Sequence, residues 1–80
     1  MNKDLVLVLV ESAKNAMPAG MTPDKWIEMY NERLVELVVR ECIGIAKSWE
    51  DQLEEADSLD ESNAVGIVAY RMARQFGVSV

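Results

Sequence analysis

Apolar residues recur every three or four positions through the middle of the chain, a spacing that places them on one face of an α-helix. Thr22, Pro23 and Asp24 stand just before this stretch. They supply an N-cap hydroxyl, a proline suited to the first helical position and a carboxylate near the positive end of the helix dipole. We therefore predict a long central helix over about residues 23–55. Its apolar stripe consists of Ile27, Tyr30, Leu34, Val38, Cys42, Ile45, Trp49, Leu53 and Ala56.

The apolar arc of this helix is wider than half its circumference, because a second apolar row lies beside the first. A helix that rests on one neighbour needs an arc only a little over about 100° wide. Either the first and last segments of the chain cover the arc, or a second copy of the chain does. We favour a homo-oligomer, with a dimer first, because small domains bury too little surface to be very stable alone. The predicted oligomer interface contains Tyr30, Leu34, Val38, Cys42, Ile45 and Trp49.

The last part of the chain predicts a second helix, over about residues 61–76, because its apolar residues again follow helical spacing. Asp60 or Ser62 can cap its start. Gly77 can adopt the left-handed conformation that stops a helix.

The first part of the chain is ambiguous at residues 5–10, where six alternating Leu and Val residues fit either a helix or an intermolecular strand. Helix-forming residues continue from there up to Pro18, so we predict a helix over about residues 3–16. The predicted fold class is therefore all-α, with three helices at about 3–16, 23–55 and 61–76 in a helical hairpin or bundle.

Length and cysteine content limit what an 80-residue chain can form. Half of the residues are apolar and 28% are charged, so we expect a single globular domain over residues 1–80. Histidine is absent, and the one cysteine, Cys42, falls on the apolar stripe, where we expect it in the core. We therefore predict no disulfide, no metal and no cofactor, and a reducing cytoplasm fits best.

The net charge of −6 comes from one stretch of the chain. Seven of the fourteen acidic residues lie within residues 50–61, which contain no Lys or Arg. Nucleic acids and anionic lipids require a basic stripe, and the longest apolar run is too short to span a bilayer. We therefore expect no direct nucleic-acid partner and no membrane. The seven acids are Glu50, Asp51, Glu54, Glu55, Asp57, Asp60 and Glu61.

Folding explains only part of this acidic stretch. Acids near the start of the last helix favour its dipole, whereas Glu54 and Glu55 oppose the negative end of the central helix, which we expect to fray after about Leu53. The stretch is either a solvated surface around a helix junction or a face that attracts a basic partner. In the second case it would imitate nucleic-acid phosphates toward a DNA- or RNA-binding protein.

Glu41 lies at the edge of the apolar arc, so we expect its carboxylate to be partly buried and paired with Arg71 or Arg74. The alternative is an edge residue that reaches solvent. Gly44 and Gly66 stand alone in helical patterns and form no phosphate-binding loop, so we expect them to mark close helix crossings.

We predict that the chain is not an enzyme. Without histidine, Cys42 has no partner that would generate its thiolate. Helical nucleotide pyrophosphohydrolases hold magnesium with paired turns in which a glutamate is followed three residues later by an acid. Here Glu54 is the only glutamate with an acid three residues on, at Asp57. The acidic stretch also lacks the glycine turn and the ligand spacing of an EF-hand.

The motif Val39-Arg40-Glu41-Cys42 and the ending Phe76-Gly77-Val78 resemble small uncharacterised proteins of tailed bacteriophages. The resemblance covers roughly residues 24–46 and the last ten. Leu34-Val35 stands where those proteins have Phe-Ala, and Gln75 stands where they often have a histidine, so no role of that histidine carries over. The resemblance carries over no catalytic residue, but it implies a phage-encoded accessory protein acting in the bacterial cytoplasm.

These features together predict a non-enzymatic accessory protein that binds and modulates a host or defence protein through its acidic face. One alternative is an oligomer that binds a small ligand or nucleotide, in which Arg33, Arg40, Arg71 or Arg74 binds phosphate. Another alternative is a structural subunit of a phage particle.

Overall fold

Three α-helices form the regular structure of this chain, which a computed structural model describes over residues 1–79. They are α1 (Lys3–Asn15), α2 (Pro23–Glu55) and α3 (Leu59–Phe76). Residues 5–10 are helical and no strand occurs within the described range, so the predicted all-α class is confirmed. The bounds predicted for α2 agree with the observed ones, α1 ends one residue earlier than predicted, and α3 begins two residues earlier.

Side-chain caps explain where α1 and α2 begin. The Leu5 amide donates to Asn2 Oδ1 at 3.0 Å, and the Lys25 amide donates to Thr22 Oγ1 at 3.4 Å. Both bonds satisfy amide groups that the first turn of a helix leaves without a helical partner. The predicted start of the central helix at Pro23 is therefore confirmed, with Thr22 as its cap.

The chain divides into two compact units, Met1–Val38 and Val39–Val80. The first unit contains α1 and the N-terminal part of α2, and the second contains the C-terminal part of α2 and all of α3. The single domain expected from the length of the chain stays a prediction.

The first unit buries little of its apolar surface. Ala13 is the only one of its residues that is fully buried, while Leu7 and Val8 of α1 are each 60% exposed. On α2, Trp26 stacks on Tyr30 with ring centroids 5.1 Å apart. The outward side of α1 is thus apolar and is not covered by the rest of the chain.

The second unit is a helical hairpin with a small core. That core consists of Val39, Ile43, Ala69 and Ala73, with Ala46, Met72 and Val78 packed against it. Alanine lets two helices approach closely, but it contributes little apolar area, and no large side chain within residues 1–79 is fully buried.

The end of α3 is closed by Gly77, as predicted. Gly77 has a left-handed backbone conformation with φ 67°. Its amide donates to the Arg74 carbonyl at 3.3 Å, and the Val78 amide donates to the Ala73 carbonyl at 2.9 Å. These two bonds form a Schellman motif, which turns Val78 back onto the core of the hairpin.

The acidic turn as a candidate protein-binding site

Residues 50–61 comprise the end of α2, the connection to α3 and the start of α3. This stretch is referred to below as the acidic turn. It lies within the second unit and carries seven acids and no base. Glu50 is half-buried, whereas the other six acids are exposed. One end of the helical hairpin therefore presents six exposed carboxylates to solvent.

A Schellman motif closes α2 inside the acidic turn. The Ser58 amide donates to the Leu53 carbonyl at 2.8 Å, and the Asp57 amide donates to the Glu54 carbonyl at 3.1 Å. Asp57 occupies the left-handed position of the motif, with φ 60°, which glycine most often fills. The helix continues to Glu55, in agreement with its predicted bounds, and the expected fraying after Leu53 stays a prediction.

The start of α3 differs from the expected capping pattern. Its N-cap is Ser58, which makes no side-chain capping bond. Asp60 and Glu61 lie in the first turn, where the helix dipole stabilises negative charge. Ser62 is buried, and its hydroxyl donates to the Glu50 carbonyl at 3.0 Å, so it ties α3 to α2 instead of capping a helix.

Glu50 is turned toward α3, unlike the rest of the acidic turn. A Cβ atom built on Gly66 would lie 3.0 Å from Glu50 Oε1 and 3.1 Å from Glu50 Cδ. The Glu50 side chain therefore lies across Gly66, and only glycine leaves it this much room. Gly66 marks a close approach, as expected, whereas Gly44 has nothing within 4 Å of the same position, so the expectation for Gly44 is wrong.

Asp51, Glu54 and Glu55 make no contact that stabilises the fold within residues 1–79. Within residues 1–79, none of the three takes part in an ion pair. The last turn of α2 contains no base, so Glu54 and Glu55 face the negative end of the helix dipole without compensation. Glu54 and Glu55 therefore oppose the helix dipole, and the three carboxylates together leave an uncompensated negative field at the end of the hairpin.

Three ion pairs among residues 1–79 lie on the first unit, away from the acidic turn in sequence. They join Lys14 to Glu11 at 3.9 Å, Lys25 to Glu28 at 4.0 Å and Arg33 to Glu36 at 3.2 Å. Each pair joins residues three apart within one helix, as i,i+3 pairs on helices do. The first two are largely exposed and contribute little to stability, whereas the side chains of Arg33 and Glu36 are only 40% and 33% exposed.

The predicted oligomer interface falls into two groups by exposure. Tyr30 and Leu34 are half-buried by the chain itself. Val38, Ile45 and Trp49 are 43%, 55% and 56% exposed. Cys42 is exposed as well, so its expected place in the core is wrong. The apolar arc is thus only partly covered within one chain, and oligomerisation itself stays a prediction.

Glu41 is exposed, so it agrees with the alternative of an edge residue that reaches solvent and not with a partly buried carboxylate. Among the described residues no ion pair joins it to Arg71 or Arg74. The Arg74 guanidinium instead lies over the Tyr70 ring, 5.8 Å from its centroid. The carboxylate that lies against the neighbouring helix is that of Glu50.

Arg40 has a structural role that the sequence did not indicate. Its Nη1 donates to the Ser79 carbonyl at 3.0 Å, and its Nη2 lies 3.5 Å from Ser79 Oγ. Together with the packing of Val78 on the core, these bonds hold the chain after α3 against α2. The segments around Arg40 and around Gly77 therefore meet in the second unit.

Comparisons with protein-family models, curated proteins and solved structures gave no match, so the argument for function rests on the residues themselves. Within residues 1–79, no three His, Cys, Asp or Glu side chains are grouped so that they could hold a metal ion. None of the helices described there has an apolar stretch sufficient to cross a bilayer.

Proposed function

We propose that this chain is a non-enzymatic protein-binding module whose acidic turn engages a basic surface of another protein. One observation carries this proposal: Asp51, Glu54 and Glu55 are exposed and have no basic partner in the described part of the chain. Two of them also oppose the dipole of the helix that holds them. Since folding gains nothing from these charges, attraction of a cationic partner accounts for them best.

The resemblance to tailed-phage proteins supplies the biological side of the proposal. In that setting the chain is an accessory protein of the bacterial cytoplasm, and its partner is a host or defence protein. A protein that binds DNA or RNA offers the basic surface that the acidic turn requires. In its strongest form the turn competes with nucleic-acid phosphates for that surface.

The test is affinity capture from bacterial lysate with matched charge variants of the full chain. The first variant carries D51N, E54Q and E55Q. The control carries E28Q, E32Q and E41Q, which remove the same number of charges from exposed positions of the same helix. We expect wild type and the control to recover the same basic partner, and the first variant to lose it.

Equal recovery of every partner by all three proteins would overturn the acidic-turn proposal. Loss of the partner from both variants would also contradict it, because binding would then follow net charge and not the position of the charge. Circular dichroism of each variant establishes that its helices are intact before the capture is compared.

A nucleotide- or small-ligand-binding protein is the second candidate, and one observation favours it. Arg71 and Arg74 line an open groove on α3 together with Ile67, Tyr70 and Gln75. All five residues come from one helix, so the groove is a surface feature and does not enclose a ligand. A thermal-shift panel of nucleotides tests this candidate, because a ligand that binds only the native state raises the melting temperature.

A further inference from the structure

One side of the helical hairpin carries an apolar surface that the second unit itself leaves exposed. On this side Ile45 and Trp49 of α2 are 55% and 56% exposed, and Val68 and Phe76 of α3 are 55% and 58% exposed. We call this surface the apolar flank. Its members are Cys42, Ile45 and Trp49 of α2 and Val65, Val68, Met72 and Phe76 of α3.

The two rows of the apolar flank lie on the same side because α2 and α3 are antiparallel. The buried Ile43 and the half-buried Ala46 of α2 face α3. Cys42 comes directly before Ile43, and Ile45 directly before Ala46, so each lies about 100° around the helix from the side that faces α3. On α3, Val68 precedes the buried Ala69 in the same way. A twofold axis perpendicular to the plane of the two helices relates the members of an antiparallel pair. This rotation keeps each flank of the pair in place, so the positions that precede the facing residues lie on the same flank in both helices.

The opposite flank is different in character. Positions that follow the facing residues include Arg40 and Lys47 of α2 and Asn63 and Ile67 of α3. Glu50, Asn63 and Ile67 line one groove there together with Gly66 and Tyr70, which fixes Ile67 on this side of the hairpin. The seven members of the apolar flank, in contrast, carry no charge.

We propose that the apolar flank binds the same flank of a second copy of this chain, so that two helical hairpins form an antiparallel four-helix arrangement. The four members that are just over half exposed offer about 100 Å² each. Smaller contributions from Cys42, Val65 and Met72 bring the flank to roughly 500–600 Å² per copy. Two copies together bury about 1,000–1,200 Å², which reaches the threshold of about 1,000 Å² for a specific interface.

The distribution of charge favours an antiparallel dimer over a parallel one. A parallel pair would place the six exposed carboxylates of one acidic turn beside the six of its partner. In an antiparallel pair, each acidic turn instead lies near the other end of the partner hairpin, which carries Arg71 and Arg74. The two copies are thus complementary in charge in the antiparallel arrangement.

This inference is independent of the proposed function. The apolar flank and the exposed acids Asp51, Glu54 and Glu55 are different surfaces, so either proposal can fail without the other. A flank variant that is monomeric but still captures the basic partner would separate the two.

The first test compares two neighbouring substitutions on α3, V68E and I67E. Val68 and Ile67 are both β-branched and are 55% and 56% exposed, so neither substitution removes a core contact. We expect V68E to weaken the dimer at least about 100-fold, because each interface would bury two unpaired carboxylates. I67E should leave the dimer unchanged, and sedimentation measures both.

Three outcomes would overturn the proposal. A wild-type chain that sediments only as a 9.0 kDa species would exclude the dimer. An I67E variant that dissociates as much as V68E, or a V68E variant that does not dissociate, would place the interface elsewhere. Retention of helical circular dichroism by V68E ensures that dissociation is not a consequence of unfolding.

The second test measures orientation with spin labels in a C42A background. With a label at E55C, an antiparallel dimer separates the two labels by about 25 Å or more, since the 17 residues from 39 to 55 rise about 1.5 Å each. A parallel dimer brings the same labels within about 20 Å. A short distance would overturn the antiparallel arrangement, and a long one supports it.

Discussion

Replacing the two helical glycines by alanine gives the sharpest prediction from the packing of this protein. Alanine stabilises a helix interior by about 0.8–1.0 kcal/mol relative to glycine. At Gly44 a new Cβ meets nothing within 4 Å, so G44A should gain the whole amount. At Gly66 the new Cβ meets the Glu50 carboxylate at 3.0–3.2 Å, so the neighbour must move.

The cost of that movement sets the difference between the two variants. The Glu50 side chain has several rotatable bonds, and its carboxylate makes no hydrogen bond within residues 1–79, so it can shift by a few tenths of an ångström. Forcing a side chain off its preferred rotamer costs about 0.5–1.5 kcal/mol. We therefore expect G66A to be close to neutral and G44A to be about 1 kcal/mol more stable than wild type.

A double-mutant cycle isolates the contact. An E50A background removes the three atoms nearest to the new methyl group, so G66A should now gain about 0.8–1.0 kcal/mol, as G44A does. Urea unfolding followed by circular dichroism measures each free energy of unfolding. All variants are compared at one protein concentration, because self-association would make stability depend on concentration.

Two results would refute the reasoning. If G66A gains as much as G44A in the wild-type background, Glu50 does not lie across Gly66. If G66A loses more than about 1 kcal/mol with or without E50A, the obstacle is another part of the neighbouring helix and not the flexible carboxylate.

Further predictions concern the acidic turn and the two helix ends. D57G should stabilise the chain by up to about 1 kcal/mol, because glycine adopts φ 60° without a steric cost. G77A should destabilise it by about 1 kcal/mol, because alanine does not. Thermal unfolding should therefore show a higher melting temperature for D57G and a lower one for G77A, and shifts of the same sign would contradict the two left-handed caps. S62A should lower the free energy of unfolding by about 0.5–1 kcal/mol, because the hydrogen bond to the Glu50 carbonyl is lost. An unchanged urea midpoint would mean that this bond makes no net contribution to stability. E54Q with E55Q should stabilise folding by roughly 1 kcal/mol at low salt and by less at high salt, and a loss of stability would mean that these carboxylates have a structural role.

Local chemistry made much of the fold predictable. Thr22 and Pro23 mark the start of α2 by capping and proline geometry, which depend on neighbouring residues alone. Gly77 marks the end of α3 because few other residues accept a positive φ. The start of α3 was missed by two residues, since Asp57 takes the left-handed position at the end of α2 that sequence patterns assign to glycine.

Contacts between distant residues were not predictable in the same way. The position of Glu50 depends on Gly66 of another helix, and the bond from Arg40 reaches Ser79, 39 residues away. The width of the apolar arc on α2 did not reveal which part would stay uncovered, so Cys42 was expected in the core and is exposed. Periodicity locates an apolar face, but only tertiary packing decides what covers it.

The most direct test of the acidic turn is the salt dependence of the affinity for the captured basic partner. We expect wild-type binding to weaken steeply as salt rises. D51N with E54Q and E55Q should bind at least about tenfold more weakly at low salt, and E28Q with E32Q and E41Q should bind as wild type does. Equal affinity and equal salt dependence for all three proteins would contradict the proposal that the acidic turn is a binding surface.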